Sequence, residues 1–204
     1  MEEPGTAEEP GAVEELAQVV GERVRSERQA RGWSVGTLAA AAHVGKGSLS
    51  EIENGSRNPT MSTLYALAGA LGVPLATLIA DRSGTRVASP GVEARLLDVS
   101  RDGGQTVEVY RLHLDAGVVY RSPAHQPGVV EHLLVTSGRA RAGRSGEENE
   151  IGPGQAAQWI SDVAHTYTAL GHDPVESVLI IRSPSGGQSM SAAGAERRRE
   201  GCGG

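Results

Sequence analysis

The segment from Val35 to Asn54 carries side chains that could read the edges of base pairs. Leu49 and Ile52 are spaced to face inward from a short helix. The other side of that helix then carries small and polar residues, namely Lys46, Gly47, Ser50, Glu51 and Asn54. A lysine can donate to guanine or phosphate, and a glutamate can accept from cytosine. Such a helix fits the major groove, so the spacing predicts a DNA-reading surface.

Five short helices within residues 13–80 are predicted to position this surface. Apolar residues recur at steps of three and four, Ser34 is placed to cap the second helix, and Asn54-Gly55 ends the third. The preceding residues, 1–12, are rich in Glu, Pro and Gly and are predicted to be a disordered acidic arm. Residues 81–91 contain Ser, Gly and Pro and are predicted to be a linker.

The helical block resembles the Cro/C1-type (XRE-family) helix-turn-helix regulators. The resemblance covers residues 18–80 and is carried by Val20-Gly21, Arg28 and the run LAAAAHVGKGSLSEIENGSRNPT. It implies an all-α, five-helix, lambda-repressor-like DNA-binding domain, with its helix-turn-helix at 35–54. It also implies residue roles: base contacts for Lys46, Gly47, Ser50 and Glu51, phosphate contacts for Asn54 and Arg57, and a buried structural ion pair between Arg28 and Glu53.

Two positions depart from this family's usual pattern. His43 stands where the family usually has glycine, so we expect a positive φ there, which histidine tolerates better than most residues. Val35 stands where the family often has glutamine, so one phosphate contact is missing.

Beyond residue 91 the hydrophobic period changes to that of β-strands. Short strands are predicted at 92–99, 106–114, 117–121, 131–137, 156–160, 165–170 and 176–182, with turn signals such as Gly152-Pro153-Gly154 between them. Many short strands at this spacing are typical of a sandwich or small barrel. The domain is predicted to span 92–183, and residues 184–204 are predicted to be a disordered tail.

Two segments of this second domain, HQPGVVEHLLVTSG and IGPGQAAQWISDVAHTYTALG, resemble the motifs of the cupin family. The resemblance implies an all-β cupin domain, a double-stranded β-helix barrel. Carried over by position, it places metal ligands at His125, Glu131 and His165, whereas Pro127 occupies the position of a second histidine and cannot ligate. Two histidines and a carboxylate can bind Fe(II) or Zn(II). We expect no cofactor in a degenerate effector pocket, and leave open a single divalent metal, Fe or Zn.

Composition sets limits on the class of protein. The formal net charge is −6, but residues 1–17 alone hold six Glu and no basic residue, so the charge permits DNA binding by the remainder. Cys202 is the single cysteine, which excludes a disulfide framework and a Cys-based zinc site. No apolar run reaches the roughly 18 residues of a membrane span. We therefore expect a soluble, cytoplasmic protein with no membrane partner.

These features together favour a transcription regulator that is not an enzyme. The helical domain is expected to bind double-stranded operator DNA. The β domain is expected to form a homodimer and sense a small-molecule effector, since dimers suit the symmetric half-sites that such domains read. The alternative is a cupin-type mononuclear-metal oxygenase or epoxidase with a vestigial helix-turn-helix domain. The known phosphonate epoxidase with this layout has a histidine at the position of Pro127, which favours the regulator here.

Overall fold

The computed structural model describes residues 10–79 and 83–184. The first part contains the five predicted helices: α1 Pro10–Ala30, α2 Val35–Ala41, α3 Lys46–Glu53, α4 Met61–Leu71 and α5 Leu75–Ile79. Ser34 caps α2 by accepting a hydrogen bond from the Thr37 amide, and α4 ends at Gly72 in the left-handed region. Helix α1 begins within the predicted 1–12 arm, and residues 1–9 lie outside the described part of the chain.

The helical domain packs around one apolar interior. Leu38, Leu49 and Leu67 are fully buried there. Helix α1 crosses the end of α3 so closely that a Cβ on Gly21 would lie 2.2 Å from the Ile52 carbonyl oxygen, which explains the glycine. His43, in the turn between α2 and α3, has a φ of 52° and is the single non-glycine residue with positive φ in the described chain. The positive φ expected at this position, where the related family usually has glycine, is therefore present.

The second domain consists of two antiparallel sheets. Its strands are β1 Arg86–Ser89, β2 Val92–Asp102, β3 Gln105–Leu114, β4 Val119–Ser122, β5 Val130–Ser137, β6 Arg139–Arg144, β7 Asn149–Ile151, β8 Ala156–Ile160, β9 His165–Leu170 and β10 Val175–Pro184. A six-stranded sheet has the order β1-β2-β3-β10-β5-β8, and a four-stranded sheet has the order β4-β9-β6-β7. Alternate residues point between the sheets, and they include Leu112, Leu133 and Leu179.

The strands differ from the prediction at three places. Strand β1 pairs with β2 and lies inside the predicted 81–91 linker, so part of that linker is sheet. Strand β6 pairs with β9 and β7 with β6, and neither β6 nor β7 was expected. The other seven strands coincide with the predicted runs to within a few residues. The predicted tail overlaps β10 at Pro184, and residues 185–204 lie outside the described residues.

The two domains share a continuous apolar core and several specific contacts. The amide of Ala76, in α5, donates to the buried Glu108 carboxylate at 2.6 Å, and Ser62 of α4 donates to the Tyr120 hydroxyl at 3.4 Å. A Cβ on Gly69 would lie 3.2 Å from the Ala124 carbonyl oxygen, so α4 lies directly on the loop that follows β4. Within residues 10–79 and 83–184, no helix combines the length and apolarity needed to cross a membrane.

Candidate functional site

Helix α3 presents the predicted polar surface to solvent. Leu49 and Ile52 are fully buried against the rest of the helical domain. Lys46, Gly47, Ser50, Glu51 and Asn54 are all exposed, as the spacing predicts. A Cβ added to Gly47 would meet nothing within 4 Å, so no contact inside the protein requires glycine there. The surface is therefore open to solvent, and no packing within the protein explains the glycine at position 47.

Arg57 lies beside this surface and contacts it. Its Nη1 donates to the Glu51 carboxylate at 3.1 Å and to the Ser48 hydroxyl at 3.2 Å. Both charged side chains are about half exposed, at 54% each. Although different roles follow from the family resemblance, one for a base and one for phosphate, the two groups form a single exposed ion pair here. A base or phosphate group that binds one of these two side chains must either break the ion pair or contact the other side chain as well.

Arg28 and Glu53 form a buried, two-pronged ion pair. Arg28 donates from Nε at 2.6 Å and from Nη2 at 2.7 Å to the two carboxylate oxygens, and from Nη1 to the Trp33 carbonyl at 2.7 Å. The hydrogen bonds with Glu53 raise the pKa of Arg28 despite its burial. This pair ties α1 to the end of α3, so it fixes the angle at which α3 is presented.

Arg25 reinforces the same junction, and the sequence analysis did not identify it. Its Nη2 donates to the Glu53 carbonyl at 2.9 Å and to Oδ1 of Asn54 at 2.5 Å. Arg25 precedes Arg28 by three residues, and residues at that spacing share one face of a helix. This three-residue spacing is the sequence signal that could have identified Arg25. The contact also engages Asn54, for which the resemblance implies a phosphate contact.

The β domain brings His125, Glu131 and His165 together in its interior. His125 lies in the loop after β4, Glu131 lies on β5, and His165 begins β9. The Glu131 Oε1 atom is 2.6 Å from His125 Nε2 and 3.2 Å from His165 Nε2. Exposure of the three side chains is 8%, 1% and 0%, in the order of the chain. All three predicted residues thus converge at one closed point, the His–Glu–His cluster.

The contacting atoms of the His–Glu–His cluster are buried but not satisfied. None of the three, His125 Nε2, Glu131 Oε1 or His165 Nε2, makes a hydrogen bond of acceptable geometry within the described chain. Such orphaned atoms are costly unless an ion or another group joins them. Ligands of one metal ion, each about 2.0–2.2 Å from it, lie roughly 3 Å apart. The donor set and its spacing therefore fit a divalent cation.

The electrostatics of the cluster favour an ionised Glu131. Burial opposes the charge, but His165 and then His125 outweigh it and hold the pKa of Glu131 well below its usual range. Burial also opposes the charge on His165, and Glu131 raises its pKa in return. The His165 Nδ1 lies 3.0 Å from the Val163 carbonyl, which can only accept, so Nδ1 donates there and Nε2 faces Glu131.

Aromatic side chains surround the cluster, and the sequence analysis did not identify them. The Tyr65 ring, from α4, lies 4.7 Å from the His125 ring, centre to centre, and the corresponding distance from Trp159 to His165 is 6.2 Å. Tyr167 donates its hydroxyl to Oε2 of Glu131, and burial raises the pKa of that hydroxyl well above its usual range. The scarcity of aromatic residues could have drawn attention to these positions, because the chain has only four Tyr, two Trp and no Phe.

Pro127 does not line the cluster. The cupin resemblance gives Pro127 the position of a second metal-binding histidine, and a residue in that position is expected to face the same point as His125. The structure corrects this expectation, because Pro127 is exposed in the loop before β5. His132 faces away from its neighbour Glu131, as strand alternation predicts.

Comparisons with known proteins find similarity over the helical domain and, for one relative, over most of the chain. A family model, HTH_3 helix-turn-helix, matches residues 24–78. The HTH-type transcriptional regulator SutR of Escherichia coli (strain K12) is 31% identical over 176 residues, which cover 84% of this chain and 99% of that protein. The transcriptional regulator ClgR of Mycobacterium tuberculosis is 34% identical over 93 residues, 46% of this chain and 82% of its own length.

A solved structure extends the agreement to the fold of both domains. It is an HTH_3 family transcriptional regulator from Vibrio cholerae, with a TM-score of 0.74 and 23% identity. The match covers 84% of this chain and 98% of that chain.

Proposed function

The chain belongs to the helix-turn-helix family of transcriptional regulators, and on that premise we propose that it binds operator DNA sequence-specifically and adjusts this binding to the state of its β domain. Helix α3 supports the DNA-reading part of the proposal. Its exposed side carries hydrogen-bond donors and acceptors, and the major groove is wide enough to admit a helix. The same retained surface argues against the alternative of an oxygenase with a vestigial helix-turn-helix domain. Asn54 and Arg57, which follow α3, are proposed to contact phosphate.

The second domain is proposed to be a cupin barrel that binds a small effector. Two facing antiparallel sheets enclose an interior that contains ionisable and aromatic groups, an arrangement suited to a small ligand. The His–Glu–His cluster is proposed to bind one divalent ion, Fe or Zn, through His125, Glu131 and His165. A bound ion would supply a fixed positive charge and a Lewis-acidic anchor for an anionic effector group.

One observation carries the proposed link between the domains: helix α4 packs on the segment that holds a member of the cluster. Tyr65 contacts the His125 ring, and Gly69 lets the helix backbone approach Ala124. On its other side α4 contributes Leu64 and Leu67 to the core that supports α3. A ligand that moves His125 must therefore move Tyr65 or be resisted by it.

The cavity that Tyr65 and His125 line between the domains leaves little room for such a movement. The cavity between α4, α5 and the β domain has a volume of about 20 Å³, room for roughly one water molecule, and Tyr65 and His125 both line it. Close-packed interfaces pass from one discrete arrangement to another and do not deform continuously. Ligand binding at the cluster is therefore proposed to change the position of α4, and with it the affinity for DNA.

Binding of the full chain to a duplex obtained by random-site selection tests this function. We expect Zn²⁺, added to metal-free protein, to change the dissociation constant by about 5-fold or more, the usual lower range of coupling between sites. His165→Ala should keep DNA binding but lose both the metal and the response. The matched control, His172→Ala, changes an exposed histidine and should respond like the unaltered chain.

Three results would contradict separate parts of the proposal. Absence of any sequence preference would overturn DNA reading. Failure to bind metal would overturn the metal site. Stoichiometric metal without a change in DNA affinity would overturn the coupling through α4.

A further inference from the structure

The two carboxylate oxygens of Glu131 have different partners. Oε1 lies 2.6 Å from His125 Nε2 and 3.2 Å from His165 Nε2, and none of these three atoms makes a hydrogen bond of acceptable geometry in the described chain. Oε2 instead accepts a hydrogen bond from the Tyr167 hydroxyl. One oxygen of this carboxylate is therefore directed to the two histidines, and the other is already bonded to the protein.

Strand β9 supplies both His165 and Tyr167. The two residues are two positions apart, so their side chains point to the same side of the strand, and they are 0% and 3% exposed. Their rings lie 5.7 Å apart, centre to centre, with the edge of one facing the other. The backbone of β9 thus fixes the histidine that faces Oε1 relative to the hydroxyl that donates to Oε2.

Two other aromatic rings pack on Tyr167. Tyr120 lies opposite it on β4 with the ring centres 6.2 Å apart, and the Trp159 ring, from β8, lies at 5.7 Å in a T-shaped arrangement. Close packing of this kind restricts a buried ring to one rotamer. The hydroxyl therefore has a fixed position, and Glu131 keeps this hydrogen bond only if its carboxylate is oriented toward it.

This hydrogen bond bears on how Glu131 can bind a metal ion. A carboxylate binds an ion through one oxygen or through both. A donor outside the ligand set orients such a ligand, and its loss typically costs about 10- to 100-fold in metal affinity. Here the donor engages Oε2, so the oxygen left for an ion is Oε1, the one that faces both histidines.

We propose that Tyr167 is a positioning residue of the metal centre, whose hydroxyl holds Oε2 so that Glu131 binds the ion through Oε1 alone. The inference rests on the proposed function, because it concerns the ion assigned to the His–Glu–His cluster. Two histidine nitrogens and one carboxylate oxygen make three bonds, which leaves a four-coordinate ion one position for a water molecule or an external ligand. A second bond from Glu131 would compete for that position, so Tyr167 keeps it available to an effector.

Binding of Co²⁺ to the metal-free full chain tests the proposal. Four-coordinate Co²⁺ absorbs visible light much more strongly than five- or six-coordinate Co²⁺, so the spectrum reports the coordination number. We expect the unaltered chain to give the strong, four-coordinate spectrum. Tyr167→Phe should bind Co²⁺ about 10- to 100-fold more weakly, because the carboxylate loses its orientation. Its spectrum should also weaken per bound ion, because the released Oε2 adds a bond.

The matched control is Tyr120→Phe. It also removes one buried hydroxyl and keeps the ring, but that hydroxyl contacts Ser62. Tyr120→Phe should therefore bind Co²⁺ with the affinity and spectrum of the unaltered chain. Circular dichroism and thermal unfolding report whether each variant is folded. A folded Tyr167→Phe with unaltered or higher affinity, an unaltered spectrum in that variant, or equal changes in both variants would each overturn the proposal.

A crystal structure of the unaltered chain with Zn²⁺ decides the case in which Tyr167→Phe does not fold. We expect Oε1 of Glu131 at about 2.0–2.2 Å from the ion, with the Tyr167 hydroxyl still bonded to Oε2. Both oxygens of Glu131 at that distance, or the Tyr167 hydroxyl itself bound to the ion, would contradict the proposed role.

The same titrations separate this inference from the proposed function. If the unaltered chain binds neither Co²⁺ nor Zn²⁺, the proposed metal site fails and the role of Tyr167 fails with it. If the chain binds metal and Tyr167→Phe binds it equally well, only the role of Tyr167 fails. Sequence preference in DNA binding is measured independently and decides the reading function in either case.

Discussion

Among single residues, Gly47 separates the needs of folding from those of DNA binding. It lies on the exposed side of α3, and a Cβ there would meet no atom of the protein. Gly47→Ala should therefore raise the free energy of unfolding by about 0.5–1 kcal/mol, because glycine is the poorer helix former. The same methyl group should weaken binding to the selected duplex, since it separates the helix backbone from the groove. Urea unfolding and fluorescence anisotropy measure the two effects, and unchanged DNA affinity would refute the close approach.

Two Arg–Glu pairs in the helical domain have similar distances and different surroundings. Arg28–Glu53 is buried, whereas Arg31–Glu27 lies on α1 with its side chains 27% and 30% exposed. Glu53→Gln should cost about 3–5 kcal/mol, because it leaves the Arg28 charge buried without its counter-ion. Glu27→Gln should cost about 1 kcal/mol or less, because water solvates Arg31 in its place. Equal losses of stability in urea unfolding would mean that burial does not distinguish the pairs.

At the scale of secondary-structure elements, the sequence predicts the helices better than the sheets. Ser34 and Thr60 cap α2 and α4, the apolar residues follow a helical period, and all five helices are present. Strand β6 was not predicted because its inward residues are the small Ala140 and Ala142, which give a weak apolar signal between arginines. Strand β7 has three residues, of which only Ile151 is buried, and is too short for any period. Strand β1 forms because β2 offers an edge to pair with, which is information from outside its own four residues.

The residues of the candidate site also differ in how well the sequence predicts them. The side of α3 follows from helical spacing, and the His–Glu–His residues follow from the cupin resemblance. Tyr65 could not be placed beside His125, because the two residues belong to different domains and meet only through the packing of α4. Pairing between distant elements leaves no local pattern in the sequence.

At the scale of the whole molecule, the shared core predicts that the two domains unfold together. Each domain has one tryptophan, Trp33 in the helical domain and Trp159 in the β domain. In the single-tryptophan variants Trp159→Phe and Trp33→Phe, thermal unfolding followed by fluorescence should report a single transition in each. The signal of each remaining tryptophan should also coincide with the loss of circular dichroism of the same variant. If Trp33 in Trp159→Phe reports melting clearly before circular dichroism is lost, the helical domain unfolds alone and the shared core contributes little.

Gly69 also bears on how such a protein can change by recombination. Its missing side chain lets α4 rest against the backbone at Ala124, and a larger residue there would separate the two surfaces. A foreign helix-turn-helix domain joined to this β domain would have to bring both a glycine at this position and a ring at the position of Tyr65. Under the proposed function, we therefore expect the helical and β domains to be inherited together, and hybrids formed by exchange between lineages should still bind their operator but no longer respond to an effector.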